Sequence, residues 1–421
     1  MKTVKAKPSD SGAALRRLFL IVAAVAVGLA FHVPSAYAPD VDEDGLDDDL
    51  EQFLINTNRP LLKYNSGEHQ WPSSVTWKVR HSELLYDTSD HVIYTIDQLN
   101  ANPMLILSGT YNGESSSTEY NPSDSPYRLN IYDQYRTGSW PTGDEPLEVG
   151  MYARVVPLTG YIVCDNYPDL SDRVQAGDLL IQYYQFFPFN DYRGADNPLG
   201  DHEGDWLFLD VFVAGTPPYA QKAIVYHHHG DGDCPPDALT GSLLPKDGVP
   251  VCYLEIGGHE WWPVAGPGIE CYWYLGFYSN SSHDGNGPNV RAQNVLNIGE
   301  HFAPMDNDEA KMIAFFNGRW GYSPDPGMAD SPPGPLALTS DRCFCVQAPR
   351  FVAYVRHHPF DWPSQVNGTR YYPARWVSQG IAVVSSGGHV RIAADSYPGA
   401  MTITKACTLE TWGAGPVIIG P

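Results

Sequence analysis

Between Asp40 and Glu51 the chain reads Asp-Val-Asp-Glu-Asp-Gly-Leu-Asp-Asp-Asp-Leu-Glu. Asp40, Asp42 and Asp44 stand at places 1, 3 and 5 of a twelve-residue calcium loop, with Gly45 at 6, Leu46 at 7, Asp48 at 9 and Glu51 at 12. Each place has a job: the carboxylates supply a cage of hard oxygens, the glycine makes the sharp turn, Leu46 offers its carbonyl and the last carboxylate closes the cage. Only oxygen ligands are present, which suits calcium rather than zinc or copper. The alternative, an acidic tail that is merely solvated, does not require this spacing.

A second constellation lies in Gly200-Asp-His-Glu-Gly-Asp-Trp206, where His202, Glu203 and Asp205 fall within four residues. Hard carboxylates beside one imidazole suit a second divalent cation of the magnesium, calcium or manganese kind. His259, after Gly257 and Gly258, can approach the same pocket. The competing reading is a surface turn in which Asp205 caps the backbone, His202 is exposed and His259 is a hydrogen-bonded loop residue. His227 and His229 would share one face of a strand end, but with no third ligand they read as a polar terminus. Cys343 and Cys345, followed by His357 and His358, have a one-residue spacing where zinc sites show two.

No Gly-x-Ser-x-Gly elbow, His-Glu-x-x-His helix, phosphate-binding loop or dinucleotide fingerprint occurs. That absence does not exclude catalysis, because His202, Asp205 and His259 could activate a metal-bound water from dispersed positions.

The elements that would hold these residues follow from composition and pattern. With 39 Gly, 36 Pro, 12% aromatic and 18% charged residues among 421, turns and rings are abundant and a helical bundle is excluded. The net charge of −23 repels phosphate backbones, so nucleic acid is excluded as a partner and divalent cations are favoured. Lys2, Lys5, Lys7, Arg16 and Arg17 precede the apolar run 18–31 and Ala36-Tyr37-Ala38, the pattern of a signal peptide over residues 1–38. Pro39 is awkward directly after such a cut. No later run is long enough to span a membrane, so the mature chain is expected without a transmembrane segment, secreted or at the cell surface. In that oxidising setting the seven cysteines are disulfide candidates, three bridges at most, in no order that spacing decides.

Residues 50–58 carry Leu50, Phe53 and Leu54 at helical spacing, so the calcium loop over 39–58 opens a short helix that docks on the main body. From 59 to 365 short β-rich runs alternate with Gly, Pro, Asn and Asp; examples are 75–79, 91–96, 180–187, 206–213, 223–228 and 250–256. The run 206–213 is apolar on both faces, as an inner strand covered on each side should be. One helix is expected over 307–317, capped by Asp306, with Ile313 and Phe316 inward. The fold class is therefore all-β, a jelly-roll-like β-sandwich with a few short helices. From 366 to 421, several β-runs parted by Gly and Pro resemble the first rungs of a β-helix.

The calcium loop departs from an EF-hand in having Asp47 at its eighth place and Ala-Pro before Asp40. It resembles the solitary Asp-x-Asp-x-Asp-Gly-Leu repeats of bacterial surface proteins and thrombospondin type 3 segments, which implies a clamp at a domain edge rather than a switch. The ordered set Ile181-Gln-Tyr-Tyr-Gln-Phe-Phe-Pro-Phe-Asn190, Gly200-Asp-His-Glu-Gly-Asp-Trp206, Pro250-Val-Cys-Tyr-Leu-Glu-Ile-Gly-Gly-His259, Gly318-Arg-Trp-Gly321 and Pro332-Pro-Gly-Pro335 resembles the vacuolar protein sorting-associated protein 62-related family. More distantly it is similar to necrosis-inducing, ethylene-inducing-like proteins. The resemblance implies a β-sandwich whose His-x-x-Asp-Trp motif lies at a pocket, and relatives that bind sphingolipid head groups without catalysis. His202 and Asp205 match that motif, whereas Leu207 replaces the acidic ligand after the Trp, leaving Glu203, Asp201 or Asp196 to substitute.

The reading these features favour is an exported, calcium-binding, non-enzymatic protein that meets a lipid or glycan head group at the His-Glu-Gly-Asp-Trp turn. A metal-dependent hydrolase of a polysaccharide or phosphoester, and a surface structural module, are the alternatives.

Overall fold

The computed structural model describes residues 40–42, 45–86, 91–108, 110–111, 114–115, 127–135, 151–158, 173–190, 202–227, 237–240, 243–245, 247–266, 271–272, 278–279, 282–291, 294–300, 303–316, 318–321, 350–355, 376–397, 403, 406–412 and 416–420. The expected leader, Asp44, Asp196, Asp201, His229, Cys164, Cys234, Cys343, Cys345, His357, His358 and residues 332–335 lie outside them. The described chain is mostly strands in several sheets with a few short helices, none of the sheets closing into a barrel.

In chain order, α1 (Asp48–Asn58) leads to β1 (Leu61–Lys63), α2 (Val75–Arg80), β2 (Ser82–Tyr86), β3 (His91–Tyr94) and β4 (Tyr127–Ile131). Then come β5 (Met151–Pro157), β6 (Leu179–Asn190), β7 (His202–Val213), β8 (Gln221–Tyr226), β9 (Asp237–Thr240), β10 (Val251–Leu254), β11 (Trp261–Trp262), β12 (Asn289–Arg291) and β13 (Leu296–Asn297). The largest sheet has six strands in the order β9-β8-β7-β6-β5-β13, antiparallel except for the parallel β13–β5 pair at one edge. A four-stranded sheet runs β11-β10-β1-β12, and β3-β2-β4 form a third.

The six-stranded sheet is covered on both faces, as its apolar runs require. Ile181, Tyr183, Leu207, Leu209, Ile224 and Tyr226 join Leu62, Tyr64, Leu254 and Trp261 of the four-stranded sheet in a first core. Their alternate neighbours Tyr184, Phe186 and Trp206 join Val75, Val79, Leu84, Leu129 and Trp320 in a second core on the other side. Period-two alternation thus divides β6 and β7 between two cores, and every residue of β6 is buried.

Two local expectations are corrected. Residues 75–79, expected as a strand, form helix α2, because the Ser74 side chain accepts the Trp77 N–H as an N-cap and the helix buries Val75 and Val79 in the second core. The later helix is α3 (Asp308–Phe315), and its cap is Asn307, whose Oδ1 accepts the Ala310 N–H at 2.7 Å, rather than Asp306, which pairs with Lys311. Ile313 and Phe316 do face inward.

At the carboxyl end β14 (Arg350–Val355) is followed by α4 (Val377–Val383); β14 and β15 (Val384–Ala393) pair in parallel, as do β15 and β17 (Thr408–Trp412), while β16 (Ser396–Tyr397) pairs in parallel with β18 (Ile418–Ile419). Residues 380–383, read as β, are helical. The tail also takes in β14, which precedes residue 366. Among the described residues no helix is long and apolar enough to cross a membrane.

Candidate functional site

The acidic loop is built as a lead-in to α1. Asp47, the residue at the eighth place, is the N-cap: its Oδ1 accepts the Asp49 N–H at 2.9 Å and the Leu50 N–H at 3.3 Å. That cap explains a polar residue where an EF-hand keeps an aliphatic one. Gly45 takes φ +94°, and its N–H donates to Asp40 Oδ2 at 3.1 Å, while the Val41 N–H donates to Asp48 Oδ1 at 3.1 Å. Both bonds curl the loop so that Asp40, Asp42 and Asp48 each bring a carboxylate oxygen within 4.8 Å of the others. Asp42 is buried and Asp40 exposed. Partial burial, then the charges of Asp40, Asp47 and Asp49, outweigh the Val41 hydrogen bond and push the Asp48 carboxyl above its ordinary value. A cation among these oxygens would offset the neighbouring negative charges.

Glu51 at the twelfth place is fully buried, and its Oε2 accepts from Asn297 Nδ2 at 2.9 Å. Asn297 lies on the edge strand β13, and its Oδ1 accepts the Gly299 N–H at 3.0 Å. Gly299 must be glycine there: at φ +66° an added Cβ would lie 2.9 Å from the Asp42 Cβ. The loop is therefore seated on the edge of the six-stranded sheet. α1 follows with Leu54 and Ile55 in the first core and Leu50 against it, and Tyr183 donates its hydroxyl to the Ile55 carbonyl at 2.7 Å. Phe53, expected on the docking face, is instead 55% exposed, Ile55 taking that place.

The second constellation is separated by its own glycine. Gly204 adopts φ +70°, so alternation along β7 slips at that point. Asp205 lies against the first core, its Oδ2 3.1 Å from His259 Nδ1 and 3.4 Å from Asn190 Nδ2. Glu203 turns to the second core, where it meets Lys78 Nζ at 3.3 Å, both side chains fully buried, and accepts the Ile131 N–H at 2.9 Å. His202 is half-buried opposite Asn190. Of the four residues, Asp205 and His259 come together.

His259 is itself strained and enclosed. It has φ +60°, its ring stacks on Phe187 at 3.8 Å and 11°, and Nε2 lies 3.8 Å from Glu68 Oε1. Glu68 in turn accepts the His69, Gln70 and Gly257 N–H groups at 2.8, 2.7 and 3.2 Å. The arrangement pins the loop of Glu68 and the loop of His259 to β6 and β7, with the His259 ring enclosed.

Sequence reading missed Lys78, Glu68, Asn190 and Asn297. It also missed a buried polar row across three strands and the residue that follows β8: Arg154 Nε to Gln182 Oε1 at 2.8 Å, Gln182 Nε2 to Asp210 Oδ1 at 2.9 Å, and His227 Nε2 to Asp210 Oδ2 at 3.0 Å. A signal was there, since Gln182 and Asp210 interrupt otherwise apolar strands. Cys252 and Cys407 are free thiols, the first buried, where burial pushes its pKa well above the ordinary value.

No family model and no curated protein matches the chain. Among solved structures, it is similar to necrosis and ethylene inducing protein 2 from the causal agent of cocoa's witches' broom disease, with 13% identity and a TM-score of 0.27, covering 66% of this chain and 85% of that one. That protein is of the kind to which the sequence bears its more distant likeness; an overlap so loose fixes the role of no residue here. The sorting-62-related resemblance is borne by sequence motifs alone.

Proposed function

We propose that this chain is an exported calcium-binding β-sandwich protein of the sorting-62-related type, in which the ion clamps the amino-terminal loop and helix to a sheet edge, and that it recognises a lipid or glycan head group without turning it over. The observation that carries the reading is the convergence of Asp40, Asp42 and Asp48 within one loop whose twelfth residue, Glu51, is already anchored to Asn297. Two sheets sharing the first core support the sandwich, and a jelly-roll-like connection is part of the same proposal. Recognition without turnover is supported by His259, fully buried with each ring nitrogen toward a carboxylate, so that it is not available as a base to a substrate.

Calorimetry on chelator-stripped protein tests the clamp. One calcium ion should bind, and Glu51→Gln or Asp42→Asn should abolish the titration; an unchanged titration in both variants would refute the assignment.

A further inference from the structure

Trp77, His81 and Tyr135 form a row of rings on the outer side of α2. Ring centroids lie 4.2 Å apart between Trp77 and His81 and 4.3 Å between His81 and Tyr135, while Trp77 and Tyr135 meet edge-on at 6.1 Å. All three are only half-buried, so ring surface remains in water. The row is rigid: His81 Nδ1 lies 2.7 Å from the Trp77 carbonyl, and Lys78, on the inner side of the helix, is held by Glu203. Next to the row, Glu83 and Asn130 face each other across β2 and β4, the amide donating to Glu83 Oε1 at 3.1 Å. Tyr132, 41% exposed, follows two residues after Asn130. The Tyr132 hydroxyl is hydrogen-bonded to Glu83, whose charge is the largest cause that raises the phenol above its ordinary pKa.

We infer that this surface binds an uncharged saccharide, the C–H face of a hexose lying on Trp77, with Tyr135 edge-on beside it, and its hydroxyls meeting Glu83, Asn130 and Tyr132. Flat rings beside a planar amide, a carboxylate and a phenol offer both the apolar and the hydrogen-bonding halves of such a ligand. Charge selects the class. Glu83 and Asp97 locally, and the −23 of the whole chain, disfavour sulfated, sialylated or phosphate-bearing ligands. Arg80, exposed on the same turn, adds a planar donor without reversing that sign. The inference rests on the head-group reading above and moves the contact from the enclosed Glu203 and Asp205 to a surface that Glu203 supports from beneath through Lys78.

The test is an array of hexose and N-acetylhexosamine oligosaccharides, neutral and sulfated, probed with the full chain in calcium, followed by calorimetry with the best neutral sugar. Neutral glycans should be retained and sulfated ones not. Trp77→Ala, Glu83→Gln and Tyr132→Ala should each weaken binding by about tenfold, and Phe53→Ser should leave it unchanged. Tyr132→Ala, at an exposed position, keeps the test decisive if the Trp77 variant does not fold. Failure to retain any neutral glycan, preference for sulfated ones, or unchanged affinity in the Glu83 and Tyr132 variants would overturn the inference. Capture on plain phosphatidylcholine vesicles with no glycan bound overturns it while sparing the head-group reading; binding to neither removes both.

Discussion

Glu203 and Asp205 stand two residues apart on β7 yet face opposite sides of the sheet, because Gly204 between them takes φ +70°. A strand of ordinary alternation would put both carboxylates on one face and make a ligand pair of them. Here one carboxylate fixes α2 through Lys78 and the other fixes the His259 loop.

The ion pair of Lys78 with Glu203 is fully buried, so removing one partner strands the other. Lys78→Met is expected to cost about 3–5 kcal/mol in urea unfolding, and the double change Lys78→Met with Glu203→Leu to recover most of it. A double variant that loses the sum of the two single-variant losses would show that the two residues act independently.

Gly204 has a steric reason as well as a conformational one. An added Cβ would sit 2.5 Å from the Trp320 carbonyl oxygen, and one on Gly321 would sit 2.2 Å from that of Glu203. Gly204→Ala should therefore lower stability by at least about 2 kcal/mol, measured by thermal unfolding. A variant as stable as the parent would mean that the two segments do not interlock.

Calcium and pH should act on the same carboxylates. Asp48 is raised above its ordinary pKa chiefly by partial burial and then by neighbouring aspartates. A carboxyl higher in the folded than in the unfolded state destabilises when ionised, and this is relieved as pH falls through the raised value. The ion-free protein should thus gain this component on mild acidification. Asp48→Asn should raise the melting temperature of chelated protein near neutral pH while abolishing the rise that calcium produces by linkage. A drop in the chelated variant's melting temperature would contradict the crowding.

The register of α1 is checked by two adjacent residues. Leu54 is fully buried and Phe53 is 55% exposed. Leu54→Ala should cost about 2–5 kcal/mol, whereas Phe53→Ser should stay within about 0.5 kcal/mol. Similar losses at both would place Phe53 in the core.

What was legible in the sequence was set by short-range pattern. The apolar continuity of 206–213 in β7 announced a strand buried on both sides, and fixed spacing announced the acidic loop. Residues 75–79 misled because Val, Thr and Trp favour strands, while a cap at Ser74 and burial against the second core decide the outcome. Glu203 misled for a different reason: its direction depends on one positive φ, which a glycine permits but does not announce. Lys78 was invisible because its partner is 125 positions away.

The antiparallel pairing of β6 with β7 runs from Asn190 and His202 out to Leu179 and Val213, so the two longest strands join across a short stretch of chain. β1, by contrast, must find β10 nearly the whole domain later, with Leu61 opposite Val251. Loop-closure entropy makes the first event inexpensive and the second slow. Topology therefore leads us to expect assembly from the central hairpin outward, because β1 has no β10 to pair with until residues beyond 250 are available.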